Sequence, residues 1–233
     1  MSQLRTRIKI CGLTREQDVD TAVAAGADAV GFVLYDRSPR HVTPARAAEL
    51  ARRLPPFVTP VLLFVNEDAT KVIAACSEIA GAAVQFHGDE SPADCALATG
   101  HGARAWLRAA RIPLDQATPF DLVKFCSDFS KANAILLDAL VDGYGGGGKT
   151  FNWSRLPANV SSHLVLSGGL TPANVTDGIL QVRPRCPTLA VDVSSGVEAA
   201  KGIKDARKIH EFVAAVRAAD AQLAGQHDRI PPT

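Results

Sequence analysis

The chain has 233 residues, of which 47% are hydrophobic and 21% charged, and its formal net charge is +1. Such a balance is that of an ordinary globular protein and lacks the basic excess with which proteins bind nucleic acids or anionic membranes. The apolar runs also stop short of the about 18 residues that a membrane-spanning helix requires, so we expect neither a nucleic-acid nor a membrane partner.

Eight short apolar segments recur along the chain, and each ends in a small or polar cluster. Because they are apolar nearly throughout rather than alternating, they predict strands that are buried on both faces, as in a parallel sheet covered by helices. In chain order they lie near residues 8, 28, 58, 82, 103, 134, 163 and 188.

Alanine-rich, charge-dotted stretches lie between most of these segments and predict helices at 15–25, 44–53, 68–79, 92–98, 172–180 and 205–219. The predicted N-caps are Thr14, Thr43, Ser91 and Thr171. Gly26, Gly81 and Gly100 suit helix C-termini. A further helix within 113–132 is the weakest prediction, because Pro119 interrupts it and 120–125 also resembles a strand.

Strand followed by helix, repeated along the whole chain, predicts βα units and a parallel sheet. An open doubly wound sheet and a closed barrel share this local pattern, but eight units that fill the chain without a leftover segment favour the barrel. We therefore expect an α/β fold, a single-domain (β/α)₈ TIM barrel over residues 1–219, followed by a flexible tail at 220–233.

Polar residues stand at the ends of several predicted strands, where the loops of a barrel converge on one mouth. They are Cys11, Arg40, His87, Asp138 and Asp192. Glycine-rich turns follow the last two strands, where barrels commonly bind phosphate through backbone N–H groups. These turns contain Gly168, Gly169, Ser195 and Gly196. The pattern predicts a phosphate-binding site at the mouth.

The turn at 143–150, GYGGGGKT, matches the P-loop pattern G-x-x-x-x-G-K-[ST]. A nucleotide-binding P-loop runs directly from a strand into a helix, whereas the next residues, FNWSRLPANV, contain Pro157 and no amphipathic period. The sequence context therefore argues against a nucleotide triphosphatase.

Five cysteines, an odd number without a C-x-x-C pair, argue against a disulfide framework and a cysteine zinc site. The N-terminus has only a brief apolar run before Gly12, unlike a secretory signal. We therefore expect a cytoplasmic protein. With no obvious exposed apolar stripe, we also expect a monomer.

Eight motifs, in order, resemble the phosphoribosylanthranilate isomerase family, from about Arg7 to Val213. They are KICGLT (9–14), GADAVGFV (26–33), SPRHV (38–42), VQFHGDE (84–90), LLDA (136–139), GGGGKTFNW (145–153), LSGGLTPANV (166–175) and DVSSGVE (192–198). The resemblance implies an Amadori rearrangement of a phosphorylated aminosugar, N-(5-phosphoribosyl)anthranilate, in tryptophan biosynthesis, without a metal or an organic cofactor.

The resemblance also implies roles for the strand-end residues. Asp138 corresponds to the general acid and Cys11 to the general base. Arg40 corresponds to the residue that binds the anthranilate carboxylate, a task suited to a planar guanidinium. Asp192 is expected to orient a sugar hydroxyl and His87 to contact the substrate, while the four residues of the glycine-rich turns hold the 5-phosphate.

Physical chemistry sets a condition on the acid and on the base. Asp138 must be held partly protonated to donate at neutral pH, which burial or a neighbouring Asp192 can achieve. Cys11 needs some thiolate to accept a proton, and we expect Lys9 or Arg40 to favour it.

Three alternatives stay open. A different metal-independent phosphosugar isomerase would share the fold; the histidine-pathway aminoaldose isomerase has an aspartate at the end of strand one, where this chain has Cys11. A ribulose-phosphate epimerase would need several strand-end histidines for a metal, and only His87 qualifies. A phosphate sensor without activity would be favoured by loss of the acid or the base, and both are present.

Overall fold

The computed structural model describes residues 5–115, 120–140, 148–158 and 160–227. Eight parallel strands form a closed barrel in chain order, and the last strand pairs back with the first. The strands are β1 Arg7–Cys11, β2 Ala29–Val33, β3 Thr59–Phe64, β4 Ala83–Phe86, β5 Trp106–Ile112, β6 Ala134–Ala139, β7 Leu164–Leu166 and β8 Leu189–Val193. The predicted barrel is confirmed, and the open sheet was the wrong alternative.

The helices cover the outside of the barrel. They are α1 Glu16–Ala25, α2 Pro44–Ala51, α3 Ala69–Ser77, α4 Pro92–Ala98, α5 Leu122–Asp128, α6 Val175–Val182 and α7 Ala206–His227. After β8 come a single 3₁₀ turn, Ser195–Val197, and a small antiparallel hairpin of β9 Glu198–Ala200 and β10 Ile203–Lys204. Within the described ranges, no helix is long and apolar enough to cross a membrane.

Side chains alternate between an outer core under the helices and the barrel interior. On β1, Ile8 and Ile10 belong to the large outer core, whereas Lys9 and Cys11 lie on the other face of the strand. Deeper inside the barrel, a small apolar cluster is formed by Ala109, Leu136 and Val165. Because Leu136 and Asp138 are two residues apart on β6, the apolar cluster forms a floor below the strand-end polar residues.

The segment 113–132, whose predicted helix was the least certain from the sequence, does contain a helix, α5. α5 begins after Asp121, whose side chain accepts a hydrogen bond from the backbone N–H of Lys124. Leu122 and Cys126, one turn apart, are buried against the core. The strand interpretation of 120–125 is therefore wrong, because the helix cap and the helical spacing of its buried residues decide the structure.

Two of the four predicted N-caps are wrong. α1 begins after Arg15, and the hydroxyl of Thr14 instead donates to the carbonyl oxygen of Gly202. α6 begins after Asn174, whose side chain accepts a hydrogen bond from the backbone N–H of Thr171, so 172–174 form a turn before the helix. The other two, Thr43 and Ser91, are confirmed.

The turn that spells a P-loop is followed by no long helix within 148–158, where the only helical element is the 3₁₀ turn Trp153–Arg155. Residues 143–147 of that turn lie outside the described residues. The described part thus supports the argument against a nucleotide-binding P-loop.

α7 continues to His227 and so crosses the boundary expected between barrel and tail at residue 220. Asp220 explains the extension, since its carboxylate accepts hydrogen bonds from the backbone N–H of Thr6 at 3.0 and 3.1 Å and from Arg217 at 3.3 Å. The helix is thereby tied to the chain segment that leads into β1. The rest of the expected tail, 228–233, lies outside the described residues.

Candidate active site

A cavity opens at the carboxyl ends of the strands. All five polar strand-end residues predicted from the sequence line it, namely Cys11, Arg40, His87, Asp138 and Asp192. Three of the four residues predicted to bind phosphate line it too, namely Gly168, Gly169 and Ser195. The closed barrel therefore assembles into one site residues that are far apart in sequence.

β1 places a cation beside the cysteine. Lys9 and Cys11 are two residues apart and both buried. The Lys9 ammonium donates a hydrogen bond of 2.7 Å to one carboxylate oxygen of Asp192, and the other oxygen accepts one of 3.0 Å from the Ser167 hydroxyl. The pairing is imposed by strand register, because Lys9 lies directly opposite Asp192 on β8.

The protonation states of this group follow from burial and charge. Burial alone would lower the pKa of Lys9, but the adjacent Asp192 carboxylate reverses the effect and the net shift is upward. Burial raises the pKa of the Cys11 thiol, and the nearby Lys9 offsets this only in part. Lys9 is thus the cationic neighbour expected from the sequence, but the raised pKa leaves Cys11 mainly as a thiol at neutral pH.

Gly31 on β2 makes room for the Cys11 side chain. It lies opposite Cys11 in the parallel register. A Cβ atom at Gly31 would be 2.6 Å from the Cys11 Sγ and 3.1 Å from the Lys9 Cε. Sequence reasoning missed this residue, although a glycine inside an apolar strand is the usual sign of a close approach.

Asp138, at the end of β6, is a hydrogen-bonded carboxylate. Its Oδ2 lies 2.9 Å from the Nε2 of His87, and its Oδ1 accepts a hydrogen bond of 2.9 Å from the backbone N–H of Ala139. Repulsion from Asp192 was expected to keep Asp138 protonated, but the charge of Asp192 is balanced by Lys9. Asp138 itself is buried.

His87 is held from its other side by a residue that the sequence did not single out. Gln85 lies two residues earlier on β4, is fully buried, and places its Nε2 2.9 Å from the Nδ1 of His87. The VQFHGDE motif contains it, but an amide within an apolar strand gave no separate signal.

Arg40 is paired within the protein. Its Nε and Nη2 donate hydrogen bonds of 2.7 and 2.8 Å to the two oxygens of Glu198, which also accepts one of 2.9 Å from Lys204. Glu198 and Lys204 face each other across the β9–β10 hairpin. Burial would raise the pKa of Glu198, but Arg40 and Lys204 outweigh it and the pKa is lowered. Sequence reasoning singled out neither Glu198 nor Lys204, the two residues that form this ion-pair group with Arg40.

The glycine-rich turns expose backbone donors. Gly168 and Gly169 have φ of +76° and +65°, a conformation that favours glycine. Among the described residues, no acceptor is found for the backbone N–H groups of these two glycines, of Ser195 or of Gly196. Gly196 does not line the cavity; it packs so closely on Leu170 that a Cβ would lie 1.8 Å from the Leu170 carbonyl oxygen. Such unpaired N–H groups fit an anion.

The described residues contain no group of three or more histidine, cysteine, aspartate or glutamate side chains that could hold a metal ion. All five cysteines are free thiols.

Comparison with known proteins identifies the family. The family model described as N-(5'phosphoribosyl)anthranilate (PRA) isomerase matches residues 8–215. An N-(5'-phosphoribosyl)anthranilate isomerase from Methylibium petroleiphilum is 62% identical over 222 residues, which cover 95% of this chain and 98% of the relative. The sequence similarity therefore extends over nearly the entire chain.

Solved structures agree with the sequence comparison. The crystal structure of phosphoribosyl anthranilate isomerase from Thermotoga maritima matches with a TM-score of 0.80 and 39% identity, covering 91% of this chain and 99% of that one. A crystal structure of such an isomerase in complex with reduced 1-(o-carboxyphenylamino)-1-deoxyribulose 5-phosphate has a TM-score of 0.75 and 35% identity, with the same coverage. The chain therefore belongs to the phosphoribosylanthranilate isomerase family, the aldose–ketose isomerases of tryptophan biosynthesis.

Proposed function

We propose that Asp138 is the general acid and Cys11 the general base with which this chain converts N-(5-phosphoribosyl)anthranilate to 1-(2-carboxyphenylamino)-1-deoxyribulose 5-phosphate. The observation that carries the proposal is that both side chains line one cavity, next to a row of unpaired backbone N–H groups. One phosphorylated sugar can therefore reach the acid, the base and the anion site together.

The reaction divides into two proton transfers. Asp138 donates a proton to the ring oxygen as the bond from C1 to that oxygen breaks, and the nitrogen lone pair forms an iminium at C1. Cys11, as the thiolate, removes the proton from C2, and the electrons of that C–H bond form the enol-amine. Tautomerisation then gives the ketone. Lys9 favours the thiolate by its charge.

The remaining contacts bind the substrate at its two ends. The 5-phosphate accepts hydrogen bonds from the backbone N–H groups of Gly168, Gly169, Ser195 and Gly196. Asp192 accepts one from a sugar hydroxyl, because a carboxylate that already binds Lys9 and Ser167 still has lone pairs to offer.

Arg40 binds the anthranilate carboxylate through the edge that Glu198 leaves open. Glu198 occupies the Nε and Nη2 donors, and among the described residues Nη1 makes no hydrogen bond. A guanidinium has five N–H donors, so the edge formed by Nη1 and the second hydrogen of Nη2 remains available for a second carboxylate.

The test is a fluorescence assay of phosphoribosylanthranilate consumption with Cys11→Ala and Asp138→Asn. Each variant should lose turnover by about 10²- to 10⁴-fold while it stays folded by circular dichroism. Cys186→Ala, which removes a half-buried thiol just before β8 at the other end of the barrel, is the matched control and should keep its activity. Near-normal turnover of either site variant would refute its assigned role.

We also propose that the enzyme is a cytoplasmic monomer that needs no metal or organic cofactor. Activity should survive EDTA, and sedimentation should give the mass of one chain. Phe57 is the residue to substitute when testing for a dimer, since its apolar side chain is fully exposed on the loop before β3. A dimer that Phe57→Ser dissociates would overturn the monomer.

A further inference from the structure

Gln85, His87 and Asp138 form a buried chain of hydrogen bonds that ends at the proposed acid. The side-chain Nε2 of Gln85 is 2.9 Å from the Nδ1 of His87, and the Nε2 of His87 is 2.9 Å from the Oδ2 of Asp138. Because an amide nitrogen only donates, Nδ1 must accept, and the single proton of the neutral ring lies on Nε2. His87 therefore donates to Asp138.

This direction of the hydrogen bonds matters because a histidine next to a carboxylic acid can take the proton that the acid needs for catalysis. An ordinary imidazole, with a pKa of about 6.5, takes a proton from a carboxylic acid, with a pKa of about 3.9. The extra proton needed for catalysis would then settle on Nδ1 of His87 and leave Asp138 as a carboxylate. In this site, however, a proton on Nδ1 would point at the N–H donor of Gln85.

We propose that Gln85 is a positioning residue that keeps His87 neutral, with its proton on Nε2, and so reserves the catalytic proton for Asp138. The proposal depends on the role of Asp138 as the acid. Oδ2 accepts from His87 and Oδ1 accepts from the backbone N–H of Ala139. We place the proton on Oδ1, because this oxygen lies on the side of the phosphate-binding turn: a Cβ on Gly168 would be 2.7 Å from it.

The competing arrangement is well defined. The Oε1 of Gln85 is buried and has no hydrogen-bond partner among the described residues. Turning the amide by a half rotation would bring this oxygen to Nδ1, where it would accept a proton and stabilise the imidazolium. With Nε2 of Gln85 facing Nδ1, His87 is neutral and Asp138 can keep the catalytic proton. With Oε1 facing Nδ1, His87 is the imidazolium and Asp138 has no proton to donate.

The first measurement is nitrogen-15 NMR of histidine-labelled protein, with His87→Gln used to assign the His87 signals among the six histidines. We expect a protonated, pyrrole-type Nε2 and an unprotonated, pyridine-type Nδ1 at neutral pH. Two pyrrole-type nitrogens, or a proton on Nδ1 alone, would overturn the proposal.

The second measurement uses Gln85→Glu, which offers Nδ1 only an acceptor, and Gln85→Met, which offers neither donor nor acceptor. Gln85→Glu should convert His87 to the imidazolium and lower kcat by about 10²-fold, with little change in KM. Gln85→Met should lower kcat less and lose the fixed proton position in the NMR spectrum. Normal kcat in Gln85→Glu, with the ring doubly protonated, would refute the proposal.

A double-mutant cycle separates this effect from damage to the fold. His87→Gln keeps an N–H donor for Asp138 but has no ring to protonate, so adding Gln85→Glu in that background should cost little further turnover. An equal loss in both backgrounds would mean that Gln85 acts through structure only. If Asp138→Asn stays active while His87 shows the expected NMR pattern, the acid assignment fails and the tautomer assignment stands.

Discussion

Lys9 is the residue whose charge links Cys11, the proposed base, to Asp192. It balances the buried Asp192 and is the main influence that opposes the burial of Cys11. A buried thiol that is only partly compensated in this way is a weak acid, so the thiolate is the scarce form at neutral pH.

Lys9→Met should therefore move the pH dependence of the base upward. In the wild type, the limb of kcat/KM that reports Cys11 should still be rising at about pH 8.5, the ordinary pKa of a thiol, because burial raises the pKa of Cys11. Loss of the Lys9 cation raises the pKa of Cys11 further, so the rising part of the kcat/KM profile moves to higher pH. A pH–rate profile, with exposed Lys124→Met as control, checks this; an unshifted limb would contradict it.

Gly31→Ala should displace the thiol. The added Cβ would be 2.6 Å from Sγ, too close for any contact, so Cys11 must change its side-chain rotamer. We expect kcat to fall by at least about 10-fold, since misplacement by about 1 Å is costly in catalysis. Gly225→Ala on α7, where a Cβ meets nothing within 4 Å, is the control and should leave kcat unchanged.

At the scale of elements, the hairpin β9–β10 acts as a brace for Arg40. It supplies Glu198 and Lys204, and Gly202 at its tip accepts a hydrogen bond from Thr14. The loop after β2 and the segment after β8 are thus joined by one ion-pair group.

Glu198→Gln should raise KM more than it lowers kcat, because Arg40 loses its charged partner while Cys11 and Asp138 are untouched. Its effect on stability should depend on pH. The folded pKa of Glu198 is lowered, so its contribution to the free energy of unfolding is present above about pH 4.3, the ordinary value, and is lost as the pH falls further. Urea unfolding of both proteins at pH 7 and at low pH tests this; a difference in stability that grows on acidification would contradict it.

The strands and their end residues could be predicted from the sequence, whereas contacts between distant elements could not. Strands buried on both faces were recognisable from their continuous apolar runs, and all five polar residues predicted at their ends line the cavity. Arg40 and Glu198 are 158 residues apart, and no local pattern specifies such a pair. Gln85 was equally hidden, since the position of its amide matters only after β4 and β6 are placed in the barrel.

At the scale of the whole molecule, stability and chemistry are found at opposite ends of the barrel. Asp220, Thr6 and Arg183 tie α7 to the start of β1, at the amino ends of the strands, where Arg183 donates to the Thr6 hydroxyl. In barrels of this type the amino ends serve stability and the carboxyl ends catalysis.

Asp220→Ala should therefore weaken folding without changing kcat or KM at 25 °C. It leaves the buried Thr6 N–H and the Arg183 guanidinium without their carboxylate, at a cost of about 1–3 kcal/mol in the free energy of unfolding. Shortening the chain after residue 227 removes no described contact and serves as the control. A normal melting curve for Asp220→Ala, or a loss of turnover in the folded protein, would contradict the separation.

The pairing of β1 with β8 has a consequence for synthesis. Lys9 leaves the ribosome early, but its carboxylate partner Asp192 is made 183 residues later. Until β8 is synthesised and pairs with β1, the Lys9 ammonium lacks its carboxylate partner and Cys11 lacks its complete surroundings. We therefore expect the nascent chain to be inactive until β8 closes the barrel.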